Sequence, residues 1–300
     1  MLSPVLVGRD QELTRASAFL DELPHGTAAL CFEGEPGIGK TAVWRATTEQ
    51  ATRRGYRLLA CRPDQAEARL SFVGLSDLLK DVSGAVLHAL PETQRHALAL
   101  ALLLETPRDG RAPDARALAM AFTSALNELA RTAPLVVAVD DFQWLDPSSA
   151  RLLAFAFRRL PTRTIGLLCT LRTPYVSSEL TAIGRALGDR FDVLALGGLG
   201  RQAIRRIVAE VARTPQAQTS LTRIVDAAAG NPLFAIEMVS AIERAGNTRP
   251  AVGVPVADSL RELIAGRLRS TVPRARDALL AAAALSQPTV ELPPDRFRCG

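Results

Sequence analysis

The residues best suited to chemistry lie in a glycine-rich segment between Gly34 and Thr41. Gly34 is followed by four residues and then by Gly39, Lys40 and Thr41, a pattern typical of loops that bind nucleotide phosphates. Glycines allow the backbone to wrap closely around phosphate oxygens with its amide groups pointing inward. Lys40 can then reach the β- and γ-phosphates, and the Thr41 hydroxyl can ligate magnesium. The segment therefore predicts a site for a nucleoside triphosphate, with ATP and Mg²⁺ favoured.

The elements around this loop fit the prediction. An apolar run from Ala28 to Phe32 predicts a buried strand that leads directly into the glycines, and a helix is predicted from Lys40 to about Arg53. That helix would direct the positive end of its dipole at the phosphates. The residues predicted to contact ATP or ADP here are Gly34, Glu35, Pro36, Gly37, Ile38, Gly39, Lys40, Thr41 and Ala42.

Two acidic residues follow a second apolar run. Leu135 to Val139 has no polar residue and predicts another buried strand, and Asp140 and Asp141 come directly after it. An apolar strand that ends in a carboxylate is the Walker B form, in which the first acid holds Mg²⁺ through water. Thr41 and Asp140 are therefore the predicted metal residues, and Asp141 is predicted to orient or deprotonate the attacking water. A helix cap or a loop acid is the alternative role for Asp141.

A third run, from Thr164 to Leu171, carries Thr170 and Arg172 at its end. In P-loop ATPases that have a strand inserted between the two Walker strands, such a run forms that middle strand. Arg172 would then point toward the γ-phosphate and sense it, and a surface arginine is the plainer alternative. Lys40, Asp141 and Arg172 are accordingly the predicted catalytic residues.

Two residues shortly after the acids favour structural roles. Asp146 precedes Pro147, a combination typical of a helix start with Asp at the N-cap and Pro at the first helical position. Trp144 is expected to be a packed core aromatic rather than a ligand contact. Of the three acids that follow the second run, Asp140 and Asp141 are therefore predicted to serve the site, and Asp146 is predicted to serve the fold.

The elements that would position these residues favour an α/β fold. Apolar runs alternate with helical patterns, which favours a five-stranded parallel sheet flanked by helices, as in ASCE or AAA-like P-loop NTPases. The predicted strands are 28–32, 57–61, 135–139, 164–171 and 191–196. The long connection of about 62–134 shows helical patterns near 72–82, 92–104 and 113–131. It is interpreted as a helical insertion within an ATPase domain at 1–197. Residues 198–247 show helical patterns, among them the amphipathic spacing of Ile204, Ile207, Val208 and Val211, and are predicted to form a C-terminal helical lid.

Composition argues against several other classes of function. The 36 basic and 31 acidic residues leave a net charge of +5, and nearly all the basic residues are arginines scattered through predicted helices rather than clustered for nucleic acid. Four cysteines without CxxC spacing and three histidines give no zinc pattern, so buried reduced thiols are expected. A signal peptide and an apolar run of about 20 residues are both missing from the sequence, which predicts a soluble, cytoplasmic protein with no membrane contact.

Five segments occur in an order that matches a known group of proteins. They are Val7-Gly8-Arg9-Asp10-x-Glu12-Leu13, Gly34-Glu-Pro-Gly-Ile-Gly-Lys-Thr41, Val139-Asp-Asp-Phe-Gln-Trp-Leu-Asp146, Thr170-Leu-Arg172 and Gly230-Asn-Pro-Leu-Phe234. With them the chain resembles the STAND class of P-loop ATPases. More closely it is similar to the N-terminal ATPase part of large bacterial LuxR-type regulators related to the maltose regulator. The phosphate loop is generic, whereas its combination with the third and fifth segments is much more specific.

The resemblance implies roles beyond those that the residues indicate by themselves. Val7 and Arg9 would border the adenine and ribose, and Pro232 on the helical lid would pack on the adenine from the other side. Bound ADP would hold a closed form, and exchange for ATP, together with an unknown inducer, would open it and drive self-association. Slow hydrolysis would reset this switch.

Full members of this class continue into a winged-helix domain, a helical repeat array and a DNA-binding helix-turn-helix. Residues 248–300 can hold only the start of a winged-helix-like region, so the chain is interpreted as a fragment or a truncated paralogue without direct DNA binding. Three other functions stay open. An origin-recognition type ATPase that remodels DNA complexes shares the early Val-Gly-Arg segment and the loop. A P-loop kinase would need an acceptor pocket that the sequence does not indicate, and intact Lys40, Thr41 and Asp140 argue against a degenerate scaffold.

Overall fold

The computed structural model describes residues 6–82, 84–106, 113–160, 163–212 and 218–244. The predicted winged-helix-like region at 248–300 lies outside the described residues. The strands in chain order are β1 (Ala28–Gly34), β2 (Arg57–Cys61), β3 (Leu135–Val139), β4 (Ile165–Arg172) and β5 (Phe191–Ala195). The helices are α1 (Asp10–Glu22), α2 (Lys40–Arg53), α3 (Val73–Leu79), α4 (Gly84–His88), α5 (Glu92–Ala101), α6 (Ala115–Leu129), α7 (Pro147–Phe157), α8 (Ser178–Leu187), α9 (Arg201–Val211), α10 (Gln218–Ala228) and α11 (Pro232–Arg244).

The five strands form one parallel sheet in the order β2-β3-β4-β1-β5. This order confirms the predicted fold class. It also confirms that β4 lies between the strand that leads into the glycine-rich loop and the strand that ends in the two acids. Every residue of β3 and all but the last of β4 are buried. Burial on both faces explains why these strands are continuous apolar runs rather than alternating ones.

Side chains of the sheet alternate between two separate cores. Leu30 and Phe32 of β1 pack with buried residues of α1 and α2 on one face. Cys31, between them, belongs to the opposite core, which is built with residues from α3 to α8. The insertion between β2 and β3 supplies much of this second layer, and Phe122 and Leu126 of α6 are fully buried in it. The insertion is therefore part of the sheet's own core.

Three cysteines lie inside the sheet. Cys31, Cys61 and Cys169 are buried and free, as predicted, and Cys299 lies outside the described residues. Cys31 and Cys169 are direct neighbours in the register of β1 and β4. Small apolar thiols fit such a closely packed position between strands.

The helices of the insertion are shorter than their sequence patterns suggest. The predicted stretches near 72–82 and 92–104 are reduced to α3 and α5, with the five-residue α4 between them. Leu103 adopts a φ of 57°, and a residue in this left-handed region cannot continue a right-handed helix.

Across the part of the chain that the structure covers, no helix is both long and apolar enough to cross a membrane.

The last three described helices, α9, α10 and α11, share a third core and are called the three-helix unit below. Ile204, Val208, Ile224 and Val239 are buried in this core. The amphipathic pattern predicted for Ile204 and Val208 therefore faces the neighbouring helices. The division of the chain at residue 197 into an ATPase domain and a lid stays a prediction.

Candidate functional site

The candidate site lies where the carboxyl ends of three parallel strands meet. Gly34 at the end of β1 pairs in register with Arg172 at the end of β4. Val139, the last residue of β3, pairs with Cys169 of β4. The loop after β1 and the acids after β3 are thereby brought to one edge of the sheet, the usual place for ligands in open α/β sheets.

The glycine-rich loop has a shape that other residues could not adopt without strain. Gly37 and Gly39 have φ values of 79° and 107°, in the left-handed region that favours glycine. A Cβ on Gly37 would also lie 2.8 Å from the Cβ of Leu233, and one on Gly34 would lie 2.9 Å from the carbonyl oxygen of Leu196. The glycines of the loop are thus required both by the turn and by close neighbours.

Lys40 begins α2 and is folded back over the loop. Its Nζ donates hydrogen bonds to the carbonyl oxygens of Gly34 at 2.8 Å and Glu35 at 2.9 Å. Burial lowers the pKa of Lys40 to about 8, partly opposed by the negative charges of Asp141 and Asp140. A buried ammonium group bonded to neutral carbonyls fits an anionic ligand, because an anion would stabilise its charged form.

Arg9 lines the cavity, but its guanidinium is engaged by the protein. It is almost fully buried and donates to the carbonyl oxygens of Ile38 at 2.7 Å and Gly197 at 2.9 Å, and it pairs with Glu12 at 2.7 Å. These bonds join the loop to the segment that precedes α9. They indicate that Arg9 shapes the loop, a role in addition to the base and ribose contact that the resemblance implied for this residue.

Asp140 and Thr41, the two predicted metal residues, are in contact. Asp140 Oδ1 accepts hydrogen bonds from the Thr41 hydroxyl at 3.2 Å and the Thr170 hydroxyl at 2.8 Å, and Oδ2 accepts from Arg62 Nε at 3.2 Å. A hydroxyl and a carboxylate oxygen are the hard ligands that Mg²⁺ takes from proteins when it keeps several waters. The residues present therefore fit the ion.

Thr170 links the two acids, a role that the sequence did not indicate. Its hydroxyl accepts a hydrogen bond from the Asp141 backbone N–H at 2.7 Å and donates one to Asp140. Thr170 is fully buried. The available signal was its place at the end of the middle strand, two residues before Arg172. A valine there would preserve the strand but remove both bonds.

Asp141 and Arg172, two of the predicted catalytic residues, form an ion pair. Asp141 accepts from Arg172 Nε at 3.1 Å and Nη2 at 2.9 Å, and from Gln143 Nε2 at 2.8 Å. Burial acts to raise the pKa of the Asp141 carboxyl, but the bonds from Arg172 and Gln143 outweigh it and lower the pKa overall. The guanidinium carbon of Arg172 also lies 5.8 Å from the centre of the half-buried Trp144 ring. Asp141 is therefore a carboxylate held by side chains at the edge of the cavity.

Asp146 serves the fold, as predicted. Its carboxylate caps α7 by accepting from the Ser149 backbone N–H at 2.9 Å. The same carboxylate accepts from the backbone N–H groups of Phe72 at 2.9 Å and Gly74 at 3.0 Å. Asp146 thus also fixes the start of α3, a contact across the insertion that its local sequence did not reveal.

One cavity of about 770 Å³ joins the loop to the three-helix unit. This volume is within the usual range for small-ligand sites. Its lining includes the predicted residues Val7, Arg9, Pro36, Gly37, Ile38, Gly39, Lys40, Thr41, Ala42, Asp141, Arg172 and Pro232. Gly34, Glu35 and Asp140 lie directly behind this lining, in contact with Lys40 and Thr41. Away from the loop the wall is largely apolar, with Leu6, Leu199, Ile207 and Val211.

The family of AAA ATPase domains matches residues 5–170, more than half of the chain. Among curated proteins, the uncharacterized protein R02095 of Rhizobium meliloti (strain 1021) is 28% identical over 204 residues, which is 59% of this chain. The chain spans only 19% of that relative's length.

Three solved structures are similar to the chain at low sequence identity. The walker-type ATPase paby2304 of Pyrococcus abyssi has a TM-score of 0.50 and 13% identity, over 93% of this chain and 77% of that one. The Aeropyrum pernix ORC1 protein in complex with DNA has a TM-score of 0.49 and 19% identity, over 94% and 73% of the two chains. The Thermotoga maritima RuvB Holliday junction branch migration motor has a TM-score of 0.45 and 14% identity, over 97% and 87%.

Proposed function

We propose that this chain, which belongs to the family of AAA ATPase domains, is the nucleotide-operated switch module of a larger bacterial regulator. Membership of the family confirms the predicted enzyme class, an ATPase. The proposal concerns what hydrolysis is used for. One observation carries it: the three-helix unit supplies a wall of the same cavity that the phosphate loop lines, through Ile207, Pro232 and Leu233. A ligand in that cavity would contact the ATPase core and the unit at once.

The proposed binding roles follow from the contacts at the loop. Lys40 and the loop amides would hold the phosphates, and Thr41 and Asp140 would hold Mg²⁺, which supplies charge neutralisation when bound. The apolar part of the cavity lining suits the flat face of a purine. Val7 and Pro232, which both line the cavity, would pack on the base from two sides. Arg9 would keep the loop in shape by its bond to Ile38.

The proposed catalytic group is Asp141, which would orient or deprotonate the attacking water. Its lowered pKa keeps it ionised at neutral pH, as an acceptor must be. Both of its oxygens accept hydrogen bonds from Arg172, and Gln143 takes a third position. A carboxylate so fully bonded has little capacity left for water, which supports slow turnover. Arg172 would have to leave Asp141 before it could contact a phosphate.

The switch is tested by identifying the nucleotide that co-purifies with the chain and by light scattering in the presence of ADP and of ATP with Mg²⁺. Co-purified ADP, slow phosphate release and larger assemblies in ATP are the expected results. Rapid turnover with no change in assembly would contradict the switch and favour an ordinary enzyme. Self-association and dependence on an inducer are part of the same proposal, so assembly with a nucleotide alone gives the lower limit of the response.

Binding at the loop has its own test. Lys40→Ala is expected to abolish measurable ATP binding in calorimetry, because it removes the buried cation that faces the phosphates. Lys80→Ala is the matched control, since Lys80 is the other lysine of the chain and is exposed. Equal ATP affinity in the Lys40→Ala variant and the wild type would contradict the assignment of the loop.

A further inference from the structure

The carbonyl groups of the phosphate loop all accept hydrogen bonds, but the donors come from different parts of the chain. Lys40 bonds to the first two carbonyl oxygens, and Arg9 bonds to that of Ile38. The two in the middle, those of Pro36 and Gly37, are bonded from the three-helix unit. Asn231 Nδ2 donates to Pro36 O at 3.0 Å, and the Leu233 backbone N–H donates to Gly37 O at 3.3 Å. The shape of the loop therefore depends partly on helices far along the chain.

Asn231 makes this connection with both ends of its amide. Its Oδ1 accepts from the backbone N–H groups of Leu233 at 3.1 Å and Phe234 at 3.4 Å, which caps the start of α11. Its Nδ2 is the group that reaches Pro36. The side chain is 4% exposed. An aspartate could accept the same two bonds but could not donate, so the donor is what ties the unit to the loop.

The contact between loop and unit is also close in packing. A Cβ on Gly37 would lie 2.8 Å from Leu233 Cβ and 2.9 Å from Asn231 Oδ1. The segment between α10 and α11 is also held in place, because the Leu199 backbone N–H donates a hydrogen bond to Gly230 O at 2.8 Å. With so little space, α11 cannot shift toward the loop, and a shift away would break the bonds to both carbonyls.

We infer that Asn231 is a positioning residue that couples the placement of the three-helix unit to the affinity of the loop for nucleotide phosphates. This coupling rests on the proposed function, because it requires the loop to bind a nucleotide. In a trans peptide the carbonyl and the following N–H point in opposite directions. By fixing Pro36 O, Asn231 therefore fixes the direction of the Gly37 N–H, one of the amides proposed to face phosphate. Withdrawal of the unit releases that amide and weakens phosphate binding. By thermodynamic linkage, bound nucleotide holds the unit in place by the same factor.

The test compares variants that separate the donor from the cap. Asn231→Asp keeps an N-cap acceptor but replaces the donor with an oxygen that faces Pro36 O. We expect dissociation of fluorescent ADP, measured by stopped flow, to become about tenfold faster, the usual consequence of a lost buried hydrogen bond. Hydrogen exchange of the amides at 34–39 in nucleotide-free protein should also increase. Asn231→Ser, which caps but is too short to reach Pro36, should show the same two changes.

Arg201→Ala is the matched control within the same unit. It breaks the exposed ion pair of Arg201 with Asp226, which does not involve the loop, and should leave both readouts at wild-type values. Wild-type dissociation and exchange in both Asn231 variants would overturn the inference. Should the wild-type chain bind no ADP, the proposed function fails, and the exchange measurement still decides whether Asn231 holds the loop. Thermal unfolding of each variant identifies one that has lost its fold.

Discussion

Asp141 and Asp146 follow the same strand within a few residues, yet they are held in opposite ways. Asp146 is buried, and its carboxylate accepts from three backbone N–H groups. Asp141 lies at the edge of the cavity, and its carboxylate accepts only from the side chains of Arg172 and Gln143 among the bonds described. Backbone donors cannot leave without unfolding a helix start, whereas side-chain donors can rotate away.

The backbone at the two acids differs in the same sense. Asp141 has a φ of 60°, in the left-handed region that is uncommon for residues other than glycine, and Asp146 has the extended geometry of an ordinary N-cap. Such backbone outliers often accompany functional sites, where surrounding bonds maintain them. The bond from the Asp141 N–H to Thr170 maintains this one. The bonds that hold Asp141 can thus be exchanged while the fold stays intact, whereas those that hold Asp146 belong to the fold itself.

The largest expected effect is on turnover, in Asp141→Asn. Removing the carboxylate charge from the proposed water-orienting group should slow phosphate release by about a thousandfold. Asn tolerates the left-handed backbone and can still bond to Arg172, so the unfolding midpoint and ATP affinity should stay close to those of the wild type. Single-turnover phosphate release is the measurement. Undiminished release would show that Asp141 does not act on water.

The next largest effect is on stability, in Asp146→Ala. Loss of the cap and of the acceptor for two further buried N–H groups should lower the free energy of unfolding by about 3 kcal/mol. Asp114→Ala is the matched control, because the exposed Asp114 caps α6 with a single bond to Ala117, and it should cost about 1 kcal/mol. Denaturant unfolding measures both. Equal losses in the two variants would mean that the bonds to the insertion add nothing.

The smallest expected effect is on the pH dependence of ATP affinity, which a substitution at Asp141 should change and one at Asp146 should not. In the nucleotide-free protein the pKa of Lys40 is lowered to about 8, so above pH 8 the phosphates must bind together with a proton. ATP affinity should therefore fall as pH rises past 8, approaching tenfold per pH unit. Asp141 raises the pKa of Lys40, so Asp141→Asn should move this fall to lower pH.

The control for this profile is Asp146→Asn, which keeps an N-cap residue. The charges with the largest effects on the pKa of Lys40 are those of Asp141, Arg172 and Asp140, and Asp146 is not among the groups that act on it. The Asp146→Asn variant should therefore leave the pH at which affinity falls unchanged. Calorimetric titrations from about pH 7 to about pH 10 would measure the profiles, because this range extends from roughly one unit below the pKa of Lys40 to roughly two units above it. Equal shifts in both variants would show that the two acids act on Lys40 alike.

Much of the fold could be predicted because its signals are local. The strands 57–61 and 135–139 and the helix from 40 to 53 have the predicted bounds. Their apolar runs and periodic faces are properties of neighbouring residues. The cap at Asp146 was predicted for the same reason, since Asp-Pro is a local pattern. Its bonds to Phe72 and Gly74 were not, because nothing near residue 146 specifies which distant N–H groups a carboxylate will accept from.

The order of residues was enough to predict which of them would hold phosphates and a metal ion, because the spacing of glycines, lysine and acids on strand ends is typical of that chemistry. How those residues are held depends on the folded chain. Folding paired Asp141 with Arg172, placed the Thr170 hydroxyl between the two acids and directed Asn231 to the loop. These contacts join residues far apart in the chain, and only the packing of the sheet and the three-helix unit brings them within hydrogen-bonding distance.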